Sequence, residues 1–314
     1  GEGAAQLATP QSAKRAGGVA GSAGQQASPA RGYGPDLYFT EFVNVDGLQS
    51  PGRERLLKKL QFTDKERPIV AQLWGLKPEN FYKTVKEVKK MGYDGIDLNF
   101  GCPVKTVIKN GACAALINNR ELTGEIIDAS REAAGKGFPL SVKTRVGFSD
   151  VDMSWIEFLL GKKLDLLSIH GRTAKQKSLV PANWDLIGQA RQMRDALCPA
   201  TLICGNGDIL SRQQGEELAR KHQLDGVMVG RGIFHDPFLF SKASPWRNFS
   251  KEQKINLYRK HVELFARTWQ RGERRIETLN KFCKVYINGF DGAKELREQL
   301  MSEESVSQLL TLLN

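Results

Sequence analysis

The chain has no apolar run approaching the roughly 20 residues that span a bilayer, and no N-terminal apolar stretch of the kind that opens a secretory leader. Neither membrane insertion nor secretion is therefore expected. Its five cysteines (Cys102, Cys113, Cys198, Cys204 and Cys283) are odd in number and contain no C-x-x-C pair. This argues against a disulfide framework and a zinc knuckle, predicts no metal site, and fits a reduced, cytoplasmic setting. No G-x-G-x-x-G follows any strand-like run, so a dedicated dinucleotide domain of the doubly wound kind is not expected. Acidic residues are also in short supply, 35 Asp and Glu against 46 Lys and Arg, for a net charge of +11. Such a field favours polyanionic partners, nucleic acid foremost, with a plainly solvated basic surface as the alternative.

What is present suits a globular protein: 314 residues, 40% hydrophobic and 26% charged, enough for one large domain or one plus a small one. Residues 1–34 stand apart. Gly, Ala, Ser and Gln dominate, and no apolar period of 2 or 3.6 is visible, so this stretch is expected to be poorly ordered. From residue 35 short β-branched or aromatic runs alternate with amphipathic ones. Strands are expected at Leu37–Phe42, Ile69–Leu73, Gly95–Phe100, Leu140–Val146, Leu164–His170, Thr201–Cys204 and Gly226–Val229. Helices are expected at Phe81–Met91, Gly124–Ala134, Trp155–Leu160, Trp184–Leu197 and Arg212–His222. That alternation predicts right-handed βαβ units around a parallel sheet. A closed barrel wants eight units where seven are visible, so the reading is an α/β fold, a (β/α)8 TIM-type barrel over 35–240 whose first strand is not recognisable. Beyond it, 241–314 reads as a small helical domain, with Tyr258, Val262, Phe265 and Trp269 on one helical face.

In such a barrel the chemistry belongs at the C-terminal strand ends. Gly101-Cys102-Pro103 follows the third run, a tight turn that directs a thiol and leaves it exposed enough to react; a buried, inert Cys is the alternative. Lys143, with Arg145 two residues on, lies in an apolar strand, where a cation is costly without an anionic partner. Gln72 and His170 sit at barrel-lining positions. The last two runs end in Gly205-Asn206-Gly207-Asp208 and Gly230-Arg231-Gly232. Exposed N–H groups, a following helix N-terminus and Arg231 together suit a phosphate.

Asp97-Leu98-Asn99-Phe100-Gly101-Cys102-Pro103, Gly111-Ala112-Cys113-Ala114-Ala115-Leu116, Val142-Lys143-Thr144-Arg145, Ile169-His170-Gly171-Arg172-Thr173, Gly205-Asn206-Gly207-Asp208-Ile209 and Val229-Gly230-Arg231-Gly232 resemble, in order, the motifs of the tRNA-dihydrouridine synthase family. The resemblance runs from about Pro35 to the C-terminus. It implies an FMN-bearing barrel, a helical tRNA-binding domain at 241–314, tRNA as partner, NADPH or NADH as transient reductant, and a monomer. Cys102 matches the general acid for uracil C5. Gln72, Lys143 and His170 match residues around the flavin ring, and Asn206, Gly207, Asp208, Gly230 and Arg231 match its ribityl and phosphate contacts. Asn99, with Arg145 and Arg172, is assigned to the substrate. Two other readings compete: an FMN barrel reducing a small pyrimidine, and a flavin-free RNA-binding homologue. The family's opening strand, a Pro-Met-x-x-Val-Thr-Asp-like segment, has no counterpart in 1–34, which predicts two unpaired edges beside Leu37–Phe42 and Gly226–Val229.

Overall fold

Apolar runs of four to six residues make strands here, and apolar residues recurring every three to four positions make helices. The two alternate through the larger of two units in the computed structural model, which describes residues 6–8, 34–270 and 272–314. That unit runs to Gly232 and includes Phe240–Lys242; the other comprises Ile233–Leu239 and Ala243–Asn314.

The strands are β1 (Gln6–Ala8), β2 (Leu37–Phe39), β3 (Val43–Asn44), β4 (Ile69–Trp74), β5 (Gly95–Asn99), β6 (Leu140–Arg145), β7 (Leu166–His170), β8 (Leu202–Asn206) and β9 (Gly226–Val229). β2 and β3 both pair in parallel with β4, as two pieces of one interrupted strand. From β4 to β9 each strand pairs in parallel with the next. β1 then lies antiparallel between β9 (Leu7 opposite Met228) and β2 (Leu7 opposite Leu37), closing the sheet on itself. The family of strands expected from residue 35 onward is present, and the fold is a TIM-type barrel with helices around it.

Two expectations are corrected by β1. A strand does exist before residue 35, and the edges of β2 and β9 are both paired. A three-residue antiparallel strand flanked on both sides is held by ladder hydrogen bonds and needs no alternating pattern to announce it. The rest of the poorly ordered stretch expected at 1–34 lies, up to residue 33, outside the described residues.

The helices pack apolar stripes on the outside of the sheet. Helix Pro78–Lys90 begins with a proline at its first position, where a missing N–H is harmless. It fully buries Phe81, Val85 and Val88, the stripe expected from the sequence. Helix Arg120–Ala134 is capped by the Asn119 side chain and ends at Gly135, whose φ of 67° suits glycine. Helices Met153–Gly161, Trp184–Leu197 and Arg212–Lys221 complete the series.

The second unit is helical. Ser250 and Gln253 form a capping box at the start of helix Lys251–Thr268. Tyr258 and Val262 are buried with Leu279, Cys283, Ile287, Leu300 and Leu309, and Phe265 packs against them. Trp269 caps the helix C-terminally, with Arg274 over its ring at 4.6 Å. The remainder is broken into short helices, Glu277–Asn280, Cys283–Tyr286, Ala293–Ser302 and Val306–Leu312. Gly289 and Gly292, at φ of 71° and 82°, separate the second from the third. Among the described residues no helix is long and apolar enough to cross a membrane.

Candidate active site

Alternation along each strand sends every second side chain into the barrel. At its lower end these residues are apolar: Phe39, Val70, Leu166, Cys204 and Met228 form one buried cluster. Toward the C-terminal ends the same faces turn polar, with Gln72 on β4, Asn99 on β5, Lys143 and Arg145 on β6, Ser168 and His170 on β7, and Asn206 on β8. Parallel register sets Asn99 beside Lys143, Lys143 beside Ser168, and His170 between Arg145 and Asn206.

One hydrogen-bonded chain runs across β4, β5 and β6. Asp97, fully buried, accepts from Ser141 Oγ at 2.6 Å and Gln72 Nε2 at 2.8 Å. Gln72 Oε1 accepts from Asn99 Nδ2 at 2.8 Å. Asn99 Oδ1 accepts the backbone N–H groups of Gly101 at 3.1 Å and Cys102 at 3.0 Å. Burial pushes the Asp97 carboxyl up to about 6, against the pull of the Ser141 and Gln72 hydrogen bonds and the Lys143 charge.

A second group centres on His170. Burial, and then the charges of Arg145, Lys143, Arg172 and Arg231, drive its pKa far below the ordinary histidine value, so the ring is neutral. Arg172 Nη1 lies 3.1 Å from His170 Nε2. Guanidinium only donates, so Nε2 is the acceptor and Nδ1 carries the proton. Four cations focused on a neutral imidazole make an environment that an anion would stabilise. Ser168 Oγ, buried beside Lys143 in the register, has no hydrogen-bond partner among the described residues.

The structure separates roles that the motifs ran together. Arg145 is buried and donates to backbone carbonyls: Nε to Gly101 at 2.7 Å, Nη1 to Thr173 at 3.0 Å and Lys177 at 3.1 Å. It therefore ties the Cys102 turn to the loop after β7. Arg172, assigned to substrate with Arg145, is likewise buried, bonding His170, the Val180 carbonyl and the Asp208 carboxylate. Asp208 also accepts from Ala182 N at 2.9 Å through the oxygen that meets Arg172. Asn206 Nδ2 donates to the Met228 carbonyl at 2.7 Å.

At Gly207, with φ of 138°, a Cβ would stand 2.5 Å from that of Ala182, so only glycine fits. Gly230 faces open space, and Arg231 beside it is exposed. The helix N-terminus expected after β9 is only the 3-10 turn Arg231–Phe234. The preceding loop leads into helix Arg212–Lys221, which is capped by its own Ser211.

Cys102 lies at the end of β5, as expected, but its expected exposure is corrected: the residue is 2% exposed. The following segment folds back on it, Ala114 N donating to the Cys102 carbonyl at 3.4 Å. Three participants, Asp97, Ser141 and Ser168, were not singled out from the sequence. Asp97 had a usable signal: an acid inside a run of strand-forming apolar residues is costly unless hydrogen-bonded. Among the described residues no Cys, His, Asp and Glu cluster could hold a metal ion.

A family model described as dihydrouridine synthase matches residues 28–314. The probable tRNA-dihydrouridine synthases of Staphylococcus aureus and Staphylococcus epidermidis are each 44% identical to the chain over 283 residues, covering 89% of it and 85% of theirs. The probable tRNA-dihydrouridine synthase 2 of Bacillus subtilis is 42% identical, covering 89% of this chain and 86% of its own.

Proposed function

The chain belongs to the dihydrouridine synthase family, and from that premise we propose that it reduces uridine in tRNA to 5,6-dihydrouridine, with FMN as cofactor, NADPH or NADH as electron source and Cys102 as proton donor. The observation that supports this reading is that Arg145, beside the cation-ringed His170 in the register, donates to the Gly101 carbonyl of the Asn99–Cys102 turn at one mouth of the barrel.

The donor set fits FMN. Lys143 and Arg231 supply positive charge suited to an anionic ring edge and a phosphate. Gly207 admits no side chain, and Gly230 leaves its backbone open to a ligand. Gln72, Asn206 and the Nδ1–H of His170 are the neutral polar groups for the ring and the ribityl chain, and Asp208 serves by holding Arg172. When bound and reduced, FMN supplies the hydride that adds at uracil C6.

The chain's own part is the proton and the geometry. As the C5–C6 double bond saturates, the Cys102 Sγ–H bond breaks and its proton goes to C5. An ordinary thiol is mostly protonated at neutral pH and can serve as such an acid. Because Cys102 is buried, the base must be flipped out of tRNA and brought to the thiol, displacing part of what covers it. Asn99 is suited to the base beside Cys102. Arg145 and Arg172 act on substrate indirectly, by holding the loops around the mouth. The helical residues 241–314, with the chain's net charge of +11, are proposed to hold the tRNA backbone. The test is direct: purified protein should show a flavin spectrum and, given NADPH, form dihydrouridine in unmodified tRNA. A colourless protein that binds tRNA without forming product would refute the assignment.

A further inference from the structure

One chain of hydrogen bonds that reaches Cys102 starts from a carboxylate. Asp97 is fully buried, and an ionised carboxylate only accepts. Gln72 must therefore turn its Nε2 toward Asp97 Oδ2, which sends its Oε1 the other way. Only a donor suits that oxygen, and Asn99 provides Nδ2. Asn99 Oδ1 is thereby left facing the backbone, where the N–H groups of Gly101 and Cys102 donate to it. Both ends of the chain are single-valued, an acceptor-only carboxylate at one and donor-only backbone N–H groups at the other. The two amides take the one polarity that satisfies both ends, and Asp97 is the end held by the barrel strands.

We infer that Asp97 is the positioning residue for Cys102: held by Ser141 and accepting from Gln72, it anchors the Gln72–Asn99 chain at its buried end, and through that chain the turn that aims the thiol. Ser141 Oγ holds the other Asp97 oxygen at 2.6 Å and Gln72 N is itself held by Thr40 Oγ1 at 3.0 Å, so the upstream end of the chain has little freedom. A buried polar network with every link made is rigid, and it loses that rigidity when one link is removed. The purpose of this positioning rests on the reading of Cys102 as the proton donor. The positioning itself does not depend on turnover.

The experiment therefore reads the thiol directly. Native full-length protein is alkylated with iodoacetamide, and the labelling rate of each cysteine is followed by mass spectrometry, with the buried Cys204 and Cys283 as internal controls. Asp97→Leu keeps the shape and removes the acceptor. It should raise the Cys102 rate about tenfold, the factor expected when the closed turn loses a typical hydrogen-bond increment, while both controls stay within about twofold. Asp97→Asn should remain near wild type, because its carbonyl oxygen can still accept from Gln72 while its amide donates to the Ser141 hydroxyl. If Asp97→Leu does not fold, Gln72→Met breaks the chain one link later and should release Cys102 alone. An unchanged Cys102 rate in either folded variant overturns the inference. So does a rise shared by all three cysteines, which would mark general loosening, or an Asp97→Asn protein that labels like Asp97→Leu. A released Cys102 with undiminished dihydrouridine formation would instead count against Cys102 as the acid and leave the positioning intact.

Discussion

The two ends of the barrel interior are built from the same strands and the same inward-facing alternation, yet they share almost no chemistry. At one end Phe39, Val70, Leu166, Cys204 and Met228 make a closed apolar floor. At the other, one pair of residues further along most strands, Gln72, Asn99, Lys143, His170 and Asn206 gather polar groups and charge. The floor is satisfied by packing and is indifferent to direction. The mouth needs each donor to meet an acceptor, and it recruits the loops through Arg145 and Arg172 to do so. Apolar packing and polar groups are thus segregated along one axis, with Cys204 at one end and Cys102 at the other.

The largest expected effect exploits that last contrast. Cys102→Ala should lower dihydrouridine formation by about 100- to 10,000-fold, the usual worth of a positioned acid, with flavin binding kept. Cys204→Ala, at the floor, should keep most product formation. Quantifying dihydrouridine by mass spectrometry after reaction with unmodified tRNA decides it, and equal activity in the two variants would erase the distinction. Next comes Met228→Ala, which should cost about 2–5 kcal/mol of stability by opening a cavity in the floor, read by denaturant unfolding, while the rate constant of product formation in the folded fraction holds. Arg231→Ala should weaken FMN about 10- to 100-fold, the worth of a charge-assisted phosphate contact, and leave riboflavin affinity nearly unchanged in titrations. Equal losses for both would mean that Arg231 acts on the fold.

The smallest effect is on pH dependence. Folding raises the Asp97 carboxyl from an ordinary 3.8 to about 6, so its stabilising contribution is complete below about 4 and is lost as pH rises through about 6. The stability of wild type relative to Asp97→Asn should accordingly fall between about pH 4 and about pH 6 and then level off. A flat difference would show that the mouth does not burden Asp97 as its burial implies. His170 works in the opposite sense, its depressed pKa giving stability that is lost as pH falls below the ordinary histidine range, and it cancels in that comparison.

Much of this was legible from residue order alone. Seven apolar runs separated by helical periods dictate a parallel α/β barrel, because each pattern has only one way to bury its apolar face. Strand ends then place Cys102, Lys143, His170 and Arg231 at one mouth without any coordinates. The short antiparallel β1 was not legible, since Gln6–Ala8 is held by neighbours' backbone groups and not by a pattern of its own. The partners of Arg145, Arg172 and Asp208 were not legible either, because the carbonyls and counter-charge they meet come from other strands and loops. Cys102's burial and Asp97's place at the end of the Gln72–Asn99 chain belong to the same class. Local periodicity determines which elements form and which side chains face inward, because those depend on near neighbours. What each inward polar atom meets is settled only when strands 25 or more residues apart come into register, and that is a property of the closed barrel.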